Sequence, residues 1–254
     1  MEHLGPHELA HIFAQLNDPS DIARVRAVCS EWRNIMGPPH IDGKQMADVL
    51  RLAPNEILDI ACRVNSIELA KYAVSRGATE FNCGLYNACW GGHKEMAELM
   101  ISRGATDFND GLHYACFRGH IRIAELMCGL GATDFNFGLS GACEGGHKEM
   151  VELMISRGAT KFNMGLYGAC RGGHKEMAEL MISHGATNFD LGLNRACRGG
   201  HKELVELMIS HSADDFTVIR SACYHGHAEI TKLLGKLAPT VICSHCGKLG
   251  AEHV

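Results

Sequence analysis

Six cysteines, Cys62, Cys89, Cys116, Cys143, Cys170 and Cys197, stand 27 residues apart, and Cys223 follows after 26. A fixed period of this length marks a repeat architecture, in which one small unit is copied and each copy leans on its neighbours. Aligned on the cysteine, one copy reads FNDGLHYACFRGHIRIAELMCGLGATD (Phe108 to Asp134), and another reads FNMGLYGACRGGHKEMAELMISHGATN (Phe162 to Asn188). Seven such copies fill residues 54–239.

Each copy predicts two short helices. Leu85, Ala88 and Cys89 fall at i, i+3 and i+4, an apolar stripe on a first helix. Gly91 and Gly92 interrupt it, and a second helix begins near His93. Met96, Leu99 and Met100 give the second stripe, and Gly104 ends it. The following GATDFN is a short loop whose Phe108 tucks inward. Helices this short are unstable alone, so they must bury their faces against adjacent copies. The expected fold is an all-α helical solenoid.

The period also brings Cys-x-x-x-His pairs: Cys89/His93, Cys116/His120, Cys143/His147, Cys170/His174, Cys197/His201 and Cys223/His227. One pair supplies two ligands, whereas a closed zinc site takes four. The glycines usually lying between them break the geometry that would bring i and i+4 together. Packing is the better reading, with a small, readily buried cysteine in each first helix and a histidine bonding backbone groups left open at helix ends. Elements packed side by side lie about 8–10 Å apart, beyond the roughly 7 Å Cα separation that a disulfide spans. The thiols are therefore expected to be reduced, as in the cytoplasm or nucleus. His-x-Glu with the later Pro239 and Cys243-x-x-Cys246 echoes the zinc deaminases, but it recurs at scaffold spacing and singles out no copy. A zinc hydrolase or deaminase is the third and weakest functional reading; no enzyme activity and no required cofactor are expected.

The segment DGLHYAC, Asp110 to Cys116, with Gly119-His120 and Gly131-Ala132, resembles the ankyrin repeat. That family's repeat is about 33 residues long, so these copies are short between Gly104 and Leu112, where the projecting hairpin finger would lie. The resemblance implies an ankyrin-like solenoid with truncated hairpin loops. It also implies that the first helices line the concave, partner-binding side.

Within one chain the copies differ at two first-helix columns four residues apart, hence on one face. These pair as Tyr86/Trp90, His113/Phe117, Ser140/Glu144, Tyr167/Arg171, Asn194/Arg198 and Arg220/Tyr224. Aromatic residues and arginine are favoured at protein-binding hot spots. This face is the expected partner site, the alternative being drift on a solvated surface. Positions such as Lys94-Glu95 and Lys148-Glu149 read as solvated helix starts.

Residues outside the period differ in character. PHELAHIFAQLNDPSDIARVRAVCSEWRNI resembles an F-box, through Pro6, Leu9, Ile12, Phe13, Leu16, Ile22, Val28 and Trp32. Gly5-Pro6 stands where that family has Leu-Pro. The resemblance implies docking of residues 4–36 on the Skp-type adaptor of a cullin-RING ubiquitin ligase; the alternative is a helical cap for the array. Residues 1–36 form this segment, 37–53 a linker and capping helix, and 240–254 a tail. In the first copy Ser66 replaces the histidine, and after Ser212-Ala213 the last loop is one residue shorter, as expected of end caps. The tail holds Cys243 and Cys246, a zinc half-site with His253 or His245 as its third ligand, or simply two thiols.

Net charge is −5, from 24 basic and 29 acidic residues, which argues against a duplex nucleic-acid partner. No apolar run reaches the roughly 20 residues of a membrane span, and the N-terminus lacks a secretory pattern. The expectation is a monomeric protein-interaction module, a substrate-recruiting adaptor of a ubiquitin ligase. The alternative is a binding scaffold with no ligase link. F-box and ankyrin combinations resemble those of large DNA viruses, which implies an infected host cell.

Overall fold

A computed structural model describes residues 53–239. The F-box-like residues from Pro6 to Trp32, nearly all of the capping helix and the tail with Cys243, Cys246 and His253 lie outside them. Among the described residues there are fourteen α-helices, one short 3-10 turn and no strand. The described residues fall into two compact units that divide between Gly111 and Leu112.

In the first unit the helices are α1 (Pro54–Arg63), α2 (Ile67–Ser75), α3 (Phe81–Gly91) and α4 (Lys94–Ser102), and α5 (Phe108–Arg118) begins there. First helices pack on first helices, α1 on α3, and second on second, α2 on α4. The second unit continues with α6 (Ile121–Gly129), α7 (Phe135–Gly145), α8 (Lys148–Ser156), α9 (Phe162–Gly172) and α10 (Lys175–Ser183). It ends with α11 (Phe189–Gly199), α12 (Lys202–Ser210), α13 (Ile219–Tyr224) and α14 (Ala228–Leu237). The same side-by-side order joins α7, α9, α11 and α13 in one layer, and α10, α12 and α14 in the other.

The core repeats with the period. Each first helix from α1 to α11 contributes leucine, alanine and cysteine, as in Leu166, Ala169 and Cys170, all with no exposed surface, and α13 contributes Ile219 and Ala222. The second helix contributes Met177, Ala178 and Met181. Leu180, at the position of Leu99, is only half-buried, and Ala178, two residues earlier, takes the inward place. Each fully buried leucine or methionine adds about 1.5–3 kcal/mol. That is how helices of 9–11 residues persist without strong propensity of their own.

Two C-terminal turns shape every repeat. Gly92 at φ 80° lets the His93 N–H reach back to the Ala88 carbonyl at 2.9 Å, so one residue ends α3 and starts α4. Gly104 at φ 106° does the same for α4, placing Ala105 inward with its N–H on the Met100 carbonyl. At the ends of the array the left-handed position is held by Asn65 and Ser212 instead. There Ser66, in place of histidine, caps α2 by accepting the Leu69 N–H at 3.2 Å.

The truncated loop has a specific support. Asn82 Oδ1 accepts the backbone N–H groups of Thr106, at 2.7 Å, and Asp107, at 3.3 Å, in the next repeat. Asn55, Asn136, Asn163 and Asp190 make the same pair of bonds one repeat onward. One side chain thus organises each of these loops between repeats. Phe108 does not tuck into the core as expected; it opens α5 half-buried. Its counterpart Phe162 stacks on His184, with ring centroids 5.0 Å apart.

Candidate partner-binding face

The cysteine and histidine of each pair serve different neighbours. Cys170 Sγ lies 3.9 Å from Met208 Sδ in the next repeat, and burial pushes its thiol up to about 12. Gly192 packs against both sulfurs and leaves no room there for a Cβ. The same glycine gap joins Cys143 to Met181 and Cys116 to Met154. The histidine ring turns the other way. His201 Nε2–H donates to the Arg171 carbonyl of the preceding repeat at 3.3 Å, and His227 Nε2–H to Arg198 at 3.1 Å. A carbonyl can only accept, so the proton sits on Nε2. The expected use of histidine on open helix-end carbonyls holds, but across the repeat boundary; the ring does not cap its own helix.

In the first unit, the variable face shows Tyr86 and Trp90, rings 6.2 Å apart, with Trp90 36% exposed. Beside them Asn87 is buried and donates to Asp59 Oδ1 at 2.7 Å.

In the second unit the columns are not uniform. His113 stacks on Phe137 at 3.8 Å and donates from Nδ1 to the Phe137 carbonyl at 2.9 Å, so His113 and Phe117 are half-buried. Ser140 is buried, which removes one member of the ladder from the surface. The cause is close approach of three first helices, α7 to α5 and α9 to α7. A Cβ at Gly145 would fall on the Phe117 carbonyl, and one at Gly172 on that of Glu144; Gly168 is held equally tightly against Ser140. Glu144 survives as a partner, because Arg171 Nε and Nη1 reach its two carboxylate oxygens at 3.3 and 3.4 Å.

Beyond that seam the face opens. Tyr167, Arg171, Arg195, Arg198 and Gly199 line a cleft of about 430 Å³. Asn194, Arg195, Arg198, Arg220, Ser221, Tyr224 and His225 line another of about 570 Å³. Tyr224 is 66% exposed. The Arg195 guanidinium stands 4.7 Å above the Tyr167 ring, a cation–π contact, and its Nε is buried without a hydrogen-bond partner. Arg195 lies outside the two variable columns that carry Tyr86 and Trp90. It belongs to a third variable column, Asn87, Tyr114, Gly141, Gly168, Arg195 and Ser221, visible by the same within-chain comparison.

The second helices carry lysine–glutamate pairs between repeats, Lys148–Glu176 at 3.3 Å and Lys175–Glu203 at 3.6 Å. All four side chains are largely exposed, so the pairs add little stability. Among the described residues no group of three or more His, Cys, Asp or Glu could hold a metal ion.

A family model described as ankyrin repeats (three copies) matches residues 166–241, and a model described as F-box-like matches residues 4–39. The solved ankyrin repeat domain of human ASB11 is 21% identical, with a TM-score of 0.44, covering 62% of this chain and 84% of that one. The comparison with curated proteins found no match.

Proposed function

From a chain that joins an F-box-like segment to an ankyrin-repeat solenoid, we propose a substrate-recruiting adaptor of a cullin-RING ubiquitin ligase. In this reading residues 4–39 engage a Skp-type adaptor and the variable faces of the repeats hold the protein to be modified. The observation that carries it is the union of the two modules on one chain. Each is a protein-interaction module, and neither brings catalytic groups of its own. The built features support the same division of labour, since the repeated cysteine and histidine are committed to packing while Trp90, Arg171, Arg198, Arg220 and Tyr224 of the variable columns are exposed. Free cysteines at every described position suit a reducing compartment.

The test is co-purification. Full-length protein, tagged and mixed with a purified Skp-type adaptor and cullin, is expected to retain both. A variant lacking residues 1–36 should lose them while keeping its helical circular dichroism. Full-length protein that captures no adaptor refutes the ligase reading and leaves the repeats as a binding scaffold.

A further inference from the structure

Arg195 and Arg198 line both the Tyr167 cleft and the Tyr224 cleft, so the two form one groove across α9, α11 and α13. No carboxylate lines either cleft. In a chain of net charge −5 this is a local reversal of sign. We infer that the groove is a receptor for an acidic peptide segment, whose carboxylate or phosphate groups seat on Arg195, Arg198 and Arg220. The inference rests on the proposed reading that this face holds the target, and it specifies the target's chemistry.

The arginines differ in availability. Arg171 is neutralised by Glu144 on the preceding repeat. Arg198 and Arg220 form no ion pair among the described residues. Arg195 is held flat by Tyr167, and its buried Nε is uncommitted. A guanidinium fixed in this way has lost its freedom before binding and presents a fork that matches carboxylate or phosphate oxygens. Asn194 and Ser221 add the amide and hydroxyl groups that pair with a peptide backbone.

The dimensions fit a short extended segment. Neighbouring helix axes lie about 8–10 Å apart, so three helices span about 16–20 Å. At about 3.3 Å per residue, five or six extended residues cross them. A nucleic acid is a poorer fit, because phosphate tracking needs a continuous basic path. Here the first turn of α11 carries Asp190, the loop after α12 carries Asp214 and Asp215, and the second helices carry Glu149, Glu152, Glu176 and Glu203.

The test selects displayed random peptides on full-length protein and measures the synthesised survivors by fluorescence anisotropy. Each acidic position is then changed to serine or to phosphoserine, which separates carboxylate from phosphate as the preferred anion. Survivors are expected to be enriched in Asp and Glu over the input, and to weaken about tenfold or more against the double variant Arg198→Glu/Arg220→Glu. They should bind normally to Arg122→Glu, an exposed charge reversal on α6. Survivors without acidic enrichment, survivors indifferent to the double variant, or a short random RNA pool that displaces them, overturn the inference. If the survivors are apolar and are lost in Tyr167→Ser or Tyr224→Ser, the face still holds a target and only its acidic chemistry falls. If no survivor responds to any substitution on the face, or none is recovered, both readings fail.

Discussion

Asn163 Oδ1 accepts the backbone N–H of Thr187 at 2.7 Å and that of Asn188 at 2.9 Å, tying one repeat to the loop that opens the next. The bonds are exposed, so their loss leaves two donors to water rather than buried and unpaired. Asn163→Ala should cost about 1–2 kcal/mol, since the bonds act like a helix cap. At roughly 2–4 °C of Tm per kcal/mol for a domain of this size, a thermal melt resolves it. Asn163→Asp should stay near wild type, because Asp190 performs the same task one repeat later. Equal melts for wild type and alanine variant would remove the clamp from the account of the short repeat.

Gly172 ends α9 against the Glu144 carbonyl. By helix propensity alone, glycine to alanine stabilises by about 1 kcal/mol. The added Cβ would fall on backbone, which cannot move aside without separating the repeats, so Gly172→Ala should instead destabilise by about 1–3 kcal/mol. Urea unfolding gives the sign directly, and a stabilised variant contradicts the close approach of α7 and α9.

Cys170 is fully buried beside Met208. Cys170→Ser places a hydroxyl among apolar groups and should cost about 1–3 kcal/mol. Cys170→Ala keeps the site apolar and should lose less. Unfolding midpoints compare them, with metal content measured in parallel. Equal losses accompanied by a fall in bound metal would restore a ligand role to the pair.

His174 has its pKa held below the usual 6.5, first by burial and then by the nearby His147 and His201, against an opposing bond to the Glu144 backbone. In the unfolded chain it takes up a proton near 6.5; in the folded chain it does so only at lower pH. Its stabilising contribution is therefore complete above 6.5 and is lost as pH falls through the folded value. Wild type should lose more stability than His174→Gln between about pH 7.5 and pH 5. Parallel curves for the two proteins would disprove this contribution.

The sequence disclosed what one repeat needs and hid most of what two repeats do to each other. Leu166, Ala169 and Cys170 were legible because their spacing is local and the period repeats it. The ring of His201 was only half legible: bonding to an open carbonyl follows from helix ends, but which helix depends on the neighbouring copy. Asn163 looked like an ordinary loop residue, since its partners lie 24 and 25 positions away. Ser140 stood in the right column for the binding face and is buried anyway, because Gly141 and Gly145 draw α7 onto α5 while Gly168 and Gly172 draw α9 onto α7. Arg195 was detectable as variation but not as groove lining, which requires α9 and α11 to be placed side by side.

The evenly spaced thiols give the molecule a built-in set of opening gauges. Cys89, Cys143, Cys170 and Cys197 are sealed and held as protonated sulfur at neutral pH, whereas Cys83 is exposed and Cys223 half-buried. An alkylating reagent can reach a sealed thiol only while its own repeat has swung open. Mass spectrometry of briefly treated protein would then report, one repeat at a time, where the array breathes, and occupancy of the arginine groove should slow the gauges at Cys170 and Cys197 before any other.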